Sequence, residues 1–140
     1  MALFRRMLRS EQLHALNVLR AVCDQAADTP HDLALAALMH DVGKIRYAMA
    51  IWQKSLPVLV RAVSPGLYRR WSEASPEDYW KRPFVVNYQH PAWSADLLRE
   101  TGASERAVWL VEHHADDLAG WADHPYVGLL ERLKRADDLN

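Results

Sequence analysis

Apolar residues recur at spacings of three and four along most of the chain, which is the pattern of amphipathic α-helices. Strand-like alternation of apolar and polar residues is nearly absent, and only five residues are glycine. The one short stretch that favours a β-strand, Phe84-Val85-Val86, is too brief to build a sheet. The pattern therefore predicts an all-α protein, a single-domain bundle of about six to seven helices.

Helix start and stop signals divide this pattern into segments. Thr29-Pro30 and Ser75-Pro76 each place an N-cap residue before a proline in the first helical turn. Gly102 is well placed as a C-terminal stop, and Pro57 and Pro65 are expected to interrupt the helical region that contains them. The predicted helices cover residues 10–27, 30–41, 48–71 with these interruptions, 76–82, 91–101, 104–114 and 125–139.

Length and composition are those of an ordinary globular domain. The chain has 140 residues, of which half are apolar and a quarter are charged, and its net charge is −1. This balance gives no strong nucleic-acid signal. A single cysteine, Cys23, cannot form an internal disulfide and fits a reducing compartment. No secretory signal is recognisable, and no apolar stretch approaches the ~20 residues of a membrane span, so we expect a cytoplasmic protein.

The segment 45–72 differs from the rest of the chain in charge. It holds five basic residues and no acidic residue, together with aromatic residues and the apolar run 56–63. Three interpretations remain open: a core helix with a solvated basic face, a helix that contacts a membrane surface or a partner, and a lid over an anionic substrate.

The segment LALAALMHDVGK carries the first candidate chemistry. Here an apolar helix ends in His40 and Asp41, which are poor core residues because burying polar groups is costly. A bound cation would account for both. Further imidazole and carboxylate side chains lie in or beside separate helical segments, namely His14, His90, His113, His114 and Asp137. Several helical proteins build metal sites from helices that converge in this way.

Helical geometry divides these side chains between two sites. Adjacent side chains diverge by about 100° around a helix axis. His40 can therefore ligate one metal ion, while the two carboxylate oxygens of Asp41 bridge two metal ions. One site would then comprise His14, His40, Asp41 and Asp137. A second site, which shares Asp41, would take His90 and either His113 or His114.

Ligand chemistry restricts the cofactor and suggests a reaction. Imidazole and carboxylate ligands without thiolate suit Fe or Mn, and also Ni, Co or Zn, better than Ca or Mg. The positive charge of two divalent ions would exceed the negative charge of two carboxylates, so the site would attract phosphate. Metal-bound hydroxide would be the nucleophile. Asp41 and Lys44 are the catalytic candidates, since the Lys44 ammonium could stabilise transition-state charge. Lys44 and Trp93 are the candidate substrate contacts.

Four motifs carry a resemblance to a known family: LAALMHDVGK, YQHPAWSADLL, VEHHAD and LKRADDLN. Together they resemble the HD-domain metal-dependent phosphohydrolase superfamily, in its small HDIG-type form. The resemblance implies an all-α bundle in which four residues match those that name the fold, namely His14, His40, Asp41 and Asp137. The other three histidines, His90, His113 and His114, match those of members with two or three metals, including the HD-GYP branch that hydrolyses cyclic dinucleotides.

The chain departs from the HD-GYP branch in two places. After His114 it reads ADDLAGWADHPY, without the Gly-Tyr-Pro motif. It also has Ser10 where members with three metals tend to have glutamate, and Glu11 is out of phase by one position. Both departures count against a third metal and a cyclic-dinucleotide substrate. The stretch 45–89 is longer than the family pattern leads us to expect, so it is interpreted as a variable insert or lid within the single domain 1–140.

Three functions fit the sequence. The leading hypothesis is hydrolysis of a nucleotide or another small phosphate ester, either a monoester or a diester, at a dinuclear site. The second is a di-iron oxygenase, because five or six His/Asp ligands at two irons fit both chemistries. The third is a non-catalytic, metal-stabilised binding or signalling module whose contact surface is the basic and aromatic stretch 45–71.

Overall fold

The computed structural model describes residues 2–47 and 49–140, and at Ile51 it describes the backbone alone. No strand occurs within these ranges, which confirms the all-α prediction. The same described ranges contain two 3₁₀ helices, Val42–Arg46 and Leu118–Trp121, and eight α-helices, slightly more than expected. The α-helices are α1 Ala2–Arg6, α2 Arg9–Asp24, α3 His31–Met39, α4 Ile51–Val63, α5 Pro65–Ser72, α6 Arg82–Glu100, α7 Glu105–His113 and α8 Val127–Asp138.

The chain separates into two compact units. Unit 1 comprises Met1–Ile45 and Pro91–Asn140, and unit 2 comprises Arg46–His90. Within the described ranges, none of the helices combines the length and the apolar character that crossing a membrane requires.

Unit 1 has a continuous apolar core formed where α2, α3, α7 and α8 pack on one another. On α2 the buried residues Ala15, Val18 and Val22 follow at intervals of three and four, so they form one stripe. On α8 the buried residues Leu130, Leu133 and Ala136 do the same. These stripes determine which side of each helix faces inward, and therefore also where the polar residues next to them point.

Polar contacts between helices add to this core. Ser104 caps α7, since its side chain accepts from Ala107 N, and it also donates to Asp32 Oδ1 on α3 over 2.8 Å. Arg106 Nε donates to Asp32 Oδ2 over 2.6 Å. On α8, the Arg132 guanidinium donates to the backbone carbonyl of Val22 over 3.2 Å. Asp32 thus links α3 to α7, and Arg132 links α8 to α2.

Unit 2 is built around a small aromatic core. The α4 and α5 helices pack together, and the fully buried Phe84 has its ring centroid 4.9 Å from that of Trp71 and 6.3 Å from that of Tyr68. The Tyr68 hydroxyl donates to Asn87 Oδ1 over 2.8 Å, so its polar end is satisfied inside the unit.

The predicted break at Pro57 and the predicted helix start at residue 91 are wrong. Pro57 lies inside α4, and Pro91 lies inside α6, which is one helix of 19 residues rather than a short helix from residue 91. A proline inside a helix cannot donate to the carbonyl four residues earlier. At Pro91 that carbonyl belongs to Asn87, and His90 Nδ1 lies 2.9 Å from it. The imidazole therefore replaces the missing N–H, which lets the helix continue.

The predicted helix 76–82 is also wrong. Residues 76–81 form turns instead, because side chains satisfy the local backbone N–H groups. Ser75 Oγ accepts from Glu77 N, and Asp78 Oδ1 accepts from Trp80 N, both over 3.2 Å. The predicted break at Pro65 is confirmed, since α4 ends at Val63 and α5 begins at Pro65. Gly102 ends α6 as predicted, with a positive φ of 74°.

Candidate metal centre

Four polar side chains from three helical segments of unit 1 meet at one point. His14 comes from α2, His40 and Asp41 directly follow α3, and Asp137 lies on the last turn of α8. His14 Nε2 is 2.9 Å from Asp137 Oδ1 and 3.9 Å from Asp41 Oδ2. His40 Nε2 is 3.4 Å from Asp137 Oδ1 and 3.7 Å from Asp41 Oδ2. Asp137 thus contacts both imidazoles, and His14, His40 and Asp41 each offer one ligand atom within 4.8 Å of the other two.

The end of α3 explains why two adjacent residues can share this site. His40 is the C-cap of α3, since its backbone N–H donates to Ala36 O over 2.8 Å, whereas the chain turns into a 3₁₀ helix from Val42. The expected divergence of about 100° applies only within a regular helix. Because the helix ends here, Asp41 Oδ2 and His40 Nε2 point toward the same place.

A backbone carbonyl of α3 orients the His40 ring. Its Nδ1 lies 3.0 Å from the carbonyl of Ala37, so the Nδ1–H donates there and the lone pair lies on Nε2. The side chain is 1% exposed, and Nε2 is a buried nitrogen that no protein group hydrogen-bonds. Asp137 Oδ1 lies 3.4 Å from this nitrogen without forming a hydrogen bond to it. A buried lone pair without a donor is costly, and a metal ion would satisfy it.

The electrostatics of the cluster also favour positive charge. Burial is the largest influence on His40 and would lower its pKa, but the nearby carboxylates of Asp41 and Asp137 outweigh it, so the pKa of His40 is raised. At Asp137 burial is again the largest influence and would raise the pKa, yet the contacts with His14 and His40 hold it well below its usual range. The carboxylate of Asp137 thus stays ionised and attracts a cation.

The two oxygens of Asp41 face different partners. Oδ2 is turned toward His14 and His40, whereas Oδ1 lies 2.7 Å from Lys44 Nζ. Lys44 reaches it from the 3₁₀ helix that follows, and the Lys44 side chain is 22% exposed. Sequence reasoning expected both oxygens of Asp41 to be available to metals. In the structure the ammonium of Lys44 holds one of them.

The structure separates the two adjacent histidines at the end of α7. His114 is buried, with its ring centroid 5.0 Å from that of His40 and one ligand atom within 4.8 Å of a ligand atom of Asp41. Its Nδ1 lies 2.7 Å from the carbonyl of Val111, which leaves the lone pair on Nε2. His114 therefore belongs to the side-chain cluster around Asp41.

His113 points elsewhere. Its Nδ1 lies 2.7 Å from Asp116 Oδ2, and its ring lies against Trp109 and Trp121, at centroid distances of 4.7 and 4.2 Å. In the described part of the chain, no group of converging ligand atoms includes it. Its assignment as a metal ligand stays a prediction that the geometry does not favour.

The remaining predicted residues lie on α6. His90 is the last residue of unit 2, is buried, and has Nδ1 within 3.1 Å of the carbonyl of Val86 as well as that of Asn87. Its lone pair therefore lies on Nε2, the form that a metal ligand needs. Trp93 is partly buried. Their roles as ligand and pocket wall stay predictions.

Sequence reasoning missed two residues that support the site. Ser94, which is fully buried, accepts from Gly43 N over 2.7 Å and so holds the turn between Asp41 and Lys44. Lys134 Nζ donates to the carbonyl of His114 over 3.1 Å. No local signal distinguishes either residue, because each acts on backbone that is distant in sequence. Glu11, the out-of-phase acid, accepts from Leu8 N at the start of α2.

The residues present fit a divalent transition metal. They offer imidazole nitrogens and carboxylate oxygens without thiolate, which suits Fe, Mn, Co, Ni or Zn. The ligand atoms of His14, His40 and Asp41 lie within 4.8 Å of one another. Carbonyls behind His40 and His114 hold the outer ring nitrogens, as is usual for histidines that bind metal.

A family model described as HD domain matches residues 12–140 of the chain. This range contains every residue of the metal centre and most of the chain. No curated protein and no solved structure matches.

Proposed function

The chain belongs to the HD-domain family, and from that premise we propose that it is a metal-dependent phosphohydrolase. The observation that carries the proposal is the convergence of His14, His40, Asp41 and Asp137 from distant parts of the chain, with a buried nitrogen of His40 that lacks a hydrogen bond. Such a cluster is costly to bury without a cation.

The proposed cofactor is a pair of divalent ions, Fe or Mn first and Ni, Co or Zn next. The first ion would be held by the four residues of the metal centre. The second would be held by Asp41 and His114, with His90 as the further ligand that the sequence predicts. When bound, such ions supply positive charge and lower the pKa of water to near 7, so that hydroxide is available at neutral pH.

Asp41 and Lys44 have the proposed catalytic roles. Asp41 would help to hold the metal through Oδ2, which faces His40, while its Oδ1 contacts the Lys44 ammonium. Lys44 has three donors, so it can keep its contact with Asp41 and still donate to a phosphate oxygen. It would then stabilise the negative charge that develops as the phosphate ester is attacked. The proposed substrate is a nucleotide or another small phosphate ester.

The test uses the full chain, loaded separately with Mn and Fe, on a panel of nucleotides, phosphomonoesters and phosphodiesters. We expect phosphate release by the parent protein and its loss in His40→Gln, because His40 supplies a ligand from the most buried position. His31→Gln is the matched control, since His31 lies at the other end of α3 with a side chain that is 90% exposed.

Metal content per chain is measured on the same samples by elemental analysis. Hydrolysis retained by His40→Gln at the parent rate would contradict the proposal, as would a chain that binds no metal. Iron-dependent oxygen uptake without phosphate release would instead support oxygenase chemistry at the same ligands.

A further inference from the structure

The outer face of α4 in unit 2 is apolar and exposed to solvent. Trp52, Leu59 and Val63 are 50%, 62% and 78% exposed, and their spacing of seven and four places them on one stripe of the helix. Val58, which is 63% exposed, extends the stripe on one side. The opposite side of α4 carries the buried residues Gln53 and Pro57. The helix thus packs inward with one face and presents a second apolar face to solvent.

Unit 2 also contains every exposed tryptophan and tyrosine side chain of the described residues. Besides Trp52, these are Tyr79, Trp80 and Tyr88, which are between 51% and 73% exposed. Tryptophan and tyrosine are enriched where an apolar phase meets water, because each combines an apolar ring with a polar group. This composition is therefore suited to the boundary between the acyl chains and the headgroups of a lipid bilayer.

The charge of the surrounding segment is uniformly positive. Residues 46–72 include five basic side chains and no acidic one. Arg61 is three residues after Val58 and Lys54 is four before it, so both lie at the border of the apolar stripe. The acidic residues that follow in unit 2 have local partners: Glu73 lies 3.7 Å from Arg69 Nε, Glu77 accepts from the Tyr47 hydroxyl, and Asp78 lies 2.8 Å from Lys81 Nζ.

We propose that this surface, defined here as the exposed face of α4 with the basic residues of α4 and α5, binds anionic phospholipid surfaces. A helix of 13 residues is about 20 Å long, too short to cross a bilayer, so α4 would lie along the interface with its stripe among the acyl chains. The basic residues would contact the phosphate groups, which explains why the segment excludes acidic side chains. An acidic protein partner fits the charge, but a continuous aliphatic and aromatic stripe on one helix fits lipid better.

The test measures co-sedimentation of the full chain with phosphatidylcholine vesicles, with and without added phosphatidylserine. We expect binding to the anionic vesicles only, and weaker binding at high salt. The double variant Leu59→Ser/Val63→Ser should reduce binding at least tenfold, because it removes apolar contact with the acyl region. Arg61→Gln/Arg70→Gln should reduce it about tenfold, because each basic residue near an anionic surface contributes to binding.

Matched controls make the same changes on α2, where Leu13 and Leu16 are 61% and 48% exposed and Arg9 and Arg20 are also exposed. Leu13→Ser/Leu16→Ser and Arg9→Gln/Arg20→Gln should bind vesicles like the parent protein. Circular dichroism checks that each variant keeps its helix content. All substituted positions are exposed, so loss of binding with intact helix content is assigned to the surface itself.

Three results would overturn the proposal. The first is no binding to anionic vesicles, and the second is equal binding to vesicles without anionic lipid. The third is a concentration-dependent dimer in analytical ultracentrifugation that Leu59→Ser/Val63→Ser dissociates, since a second copy of the chain would then cover the stripe. None of these three outcomes depends on the metal centre, so the phosphohydrolase proposal is tested separately.

Discussion

The two units of this protein distribute polar and apolar groups in opposite ways. Unit 1 has fifteen acidic and ten basic residues, and it buries His40, Asp41 and His114 beside its apolar core. Unit 2 has three acidic and seven basic residues, and it exposes Trp52, Leu59 and Val63. Buried polar groups and exposed apolar groups both have a free-energy cost. In each unit a ligand would therefore reduce this free-energy cost. A cation would do so in unit 1, and an apolar phase would do so in unit 2.

The largest expected effect tests this contrast through two leucines. Leu33 on α3 is fully buried, whereas Leu59 on α4 is 62% exposed. We expect Leu33→Ala to lower the free energy of unfolding by about 2–5 kcal/mol, because it removes buried contacts and leaves a cavity. Leu59→Ala should change it by less than about 0.5 kcal/mol. Urea denaturation of both variants measures the difference.

Equal losses in the two leucine variants would contradict the contrast. They would mean that the α4 stripe is covered in solution, either by a second copy or by another part of the chain. Measuring the same unfolding curves at two protein concentrations distinguishes these cases, because only association makes the midpoint depend on concentration.

A smaller effect is expected from Ser94→Ala, which tests how unit 1 positions its polar residues. The substitution leaves Gly43 N–H buried without its acceptor and loosens the turn between Asp41 and Lys44. We expect metal affinity to fall about tenfold, the lower end of the range for residues that orient metal ligands. Isothermal titration with Mn measures this affinity, and the ratio of kcat to KM with a hydrolysed ester shows whether Lys44 is also displaced.

The matched control is Thr101→Ala at the end of α6. Thr101 Oγ1 donates only to the carbonyl of Leu98, within its own helix, so its loss should leave metal affinity unchanged. If both variants lose affinity equally, the Ser94 effect is a general loss of helix stability rather than a positioning effect.

The smallest expected effect is the pH dependence of the link between α3 and α7. The hydrogen bond from Ser104, followed by those from Arg106, lowers the pKa of Asp32 in the folded state. A lowered folded-state pKa means that this stabilisation is present above the unfolded-state pKa of about 4 and is lost as pH falls through the folded-state value. We expect Asp32→Asn to cost about 1 kcal/mol at pH 7.

Below about pH 4 the difference between Asp32→Asn and the parent should shrink, since protonation removes the same charge from the parent. Thermal unfolding of the two proteins from pH 3 to pH 7 measures this convergence. A constant difference across the range would show that the ion pair does not contribute through its charge.

The helices and the types of candidate ligand residues could be predicted from the sequence, whereas the positions of two prolines inside helices could not. The apolar spacing predicted α2, α3, α7 and α8 within a few residues. Pro57 was predicted to interrupt a helix and Pro91 to begin one, but a helix accepts proline when its neighbours compensate. At Pro91 the compensation comes from the ring of His90, a side-chain contact that no propensity scale contains.

For the candidate site too, the sequence predicted some features and the tertiary structure added the others. Residue types and their order along the chain determined the ligand chemistry of His14, His40, Asp41 and Asp137, because an acid or an imidazole beside an apolar helix needs a partner. Only the tertiary structure directed His113 and His114 to different surroundings, placed Lys44 on Asp41, and turned the apolar stripe of α4 outward. Those outcomes depend on where each helix ends and which face it packs, and packing joins residues that are far apart in sequence.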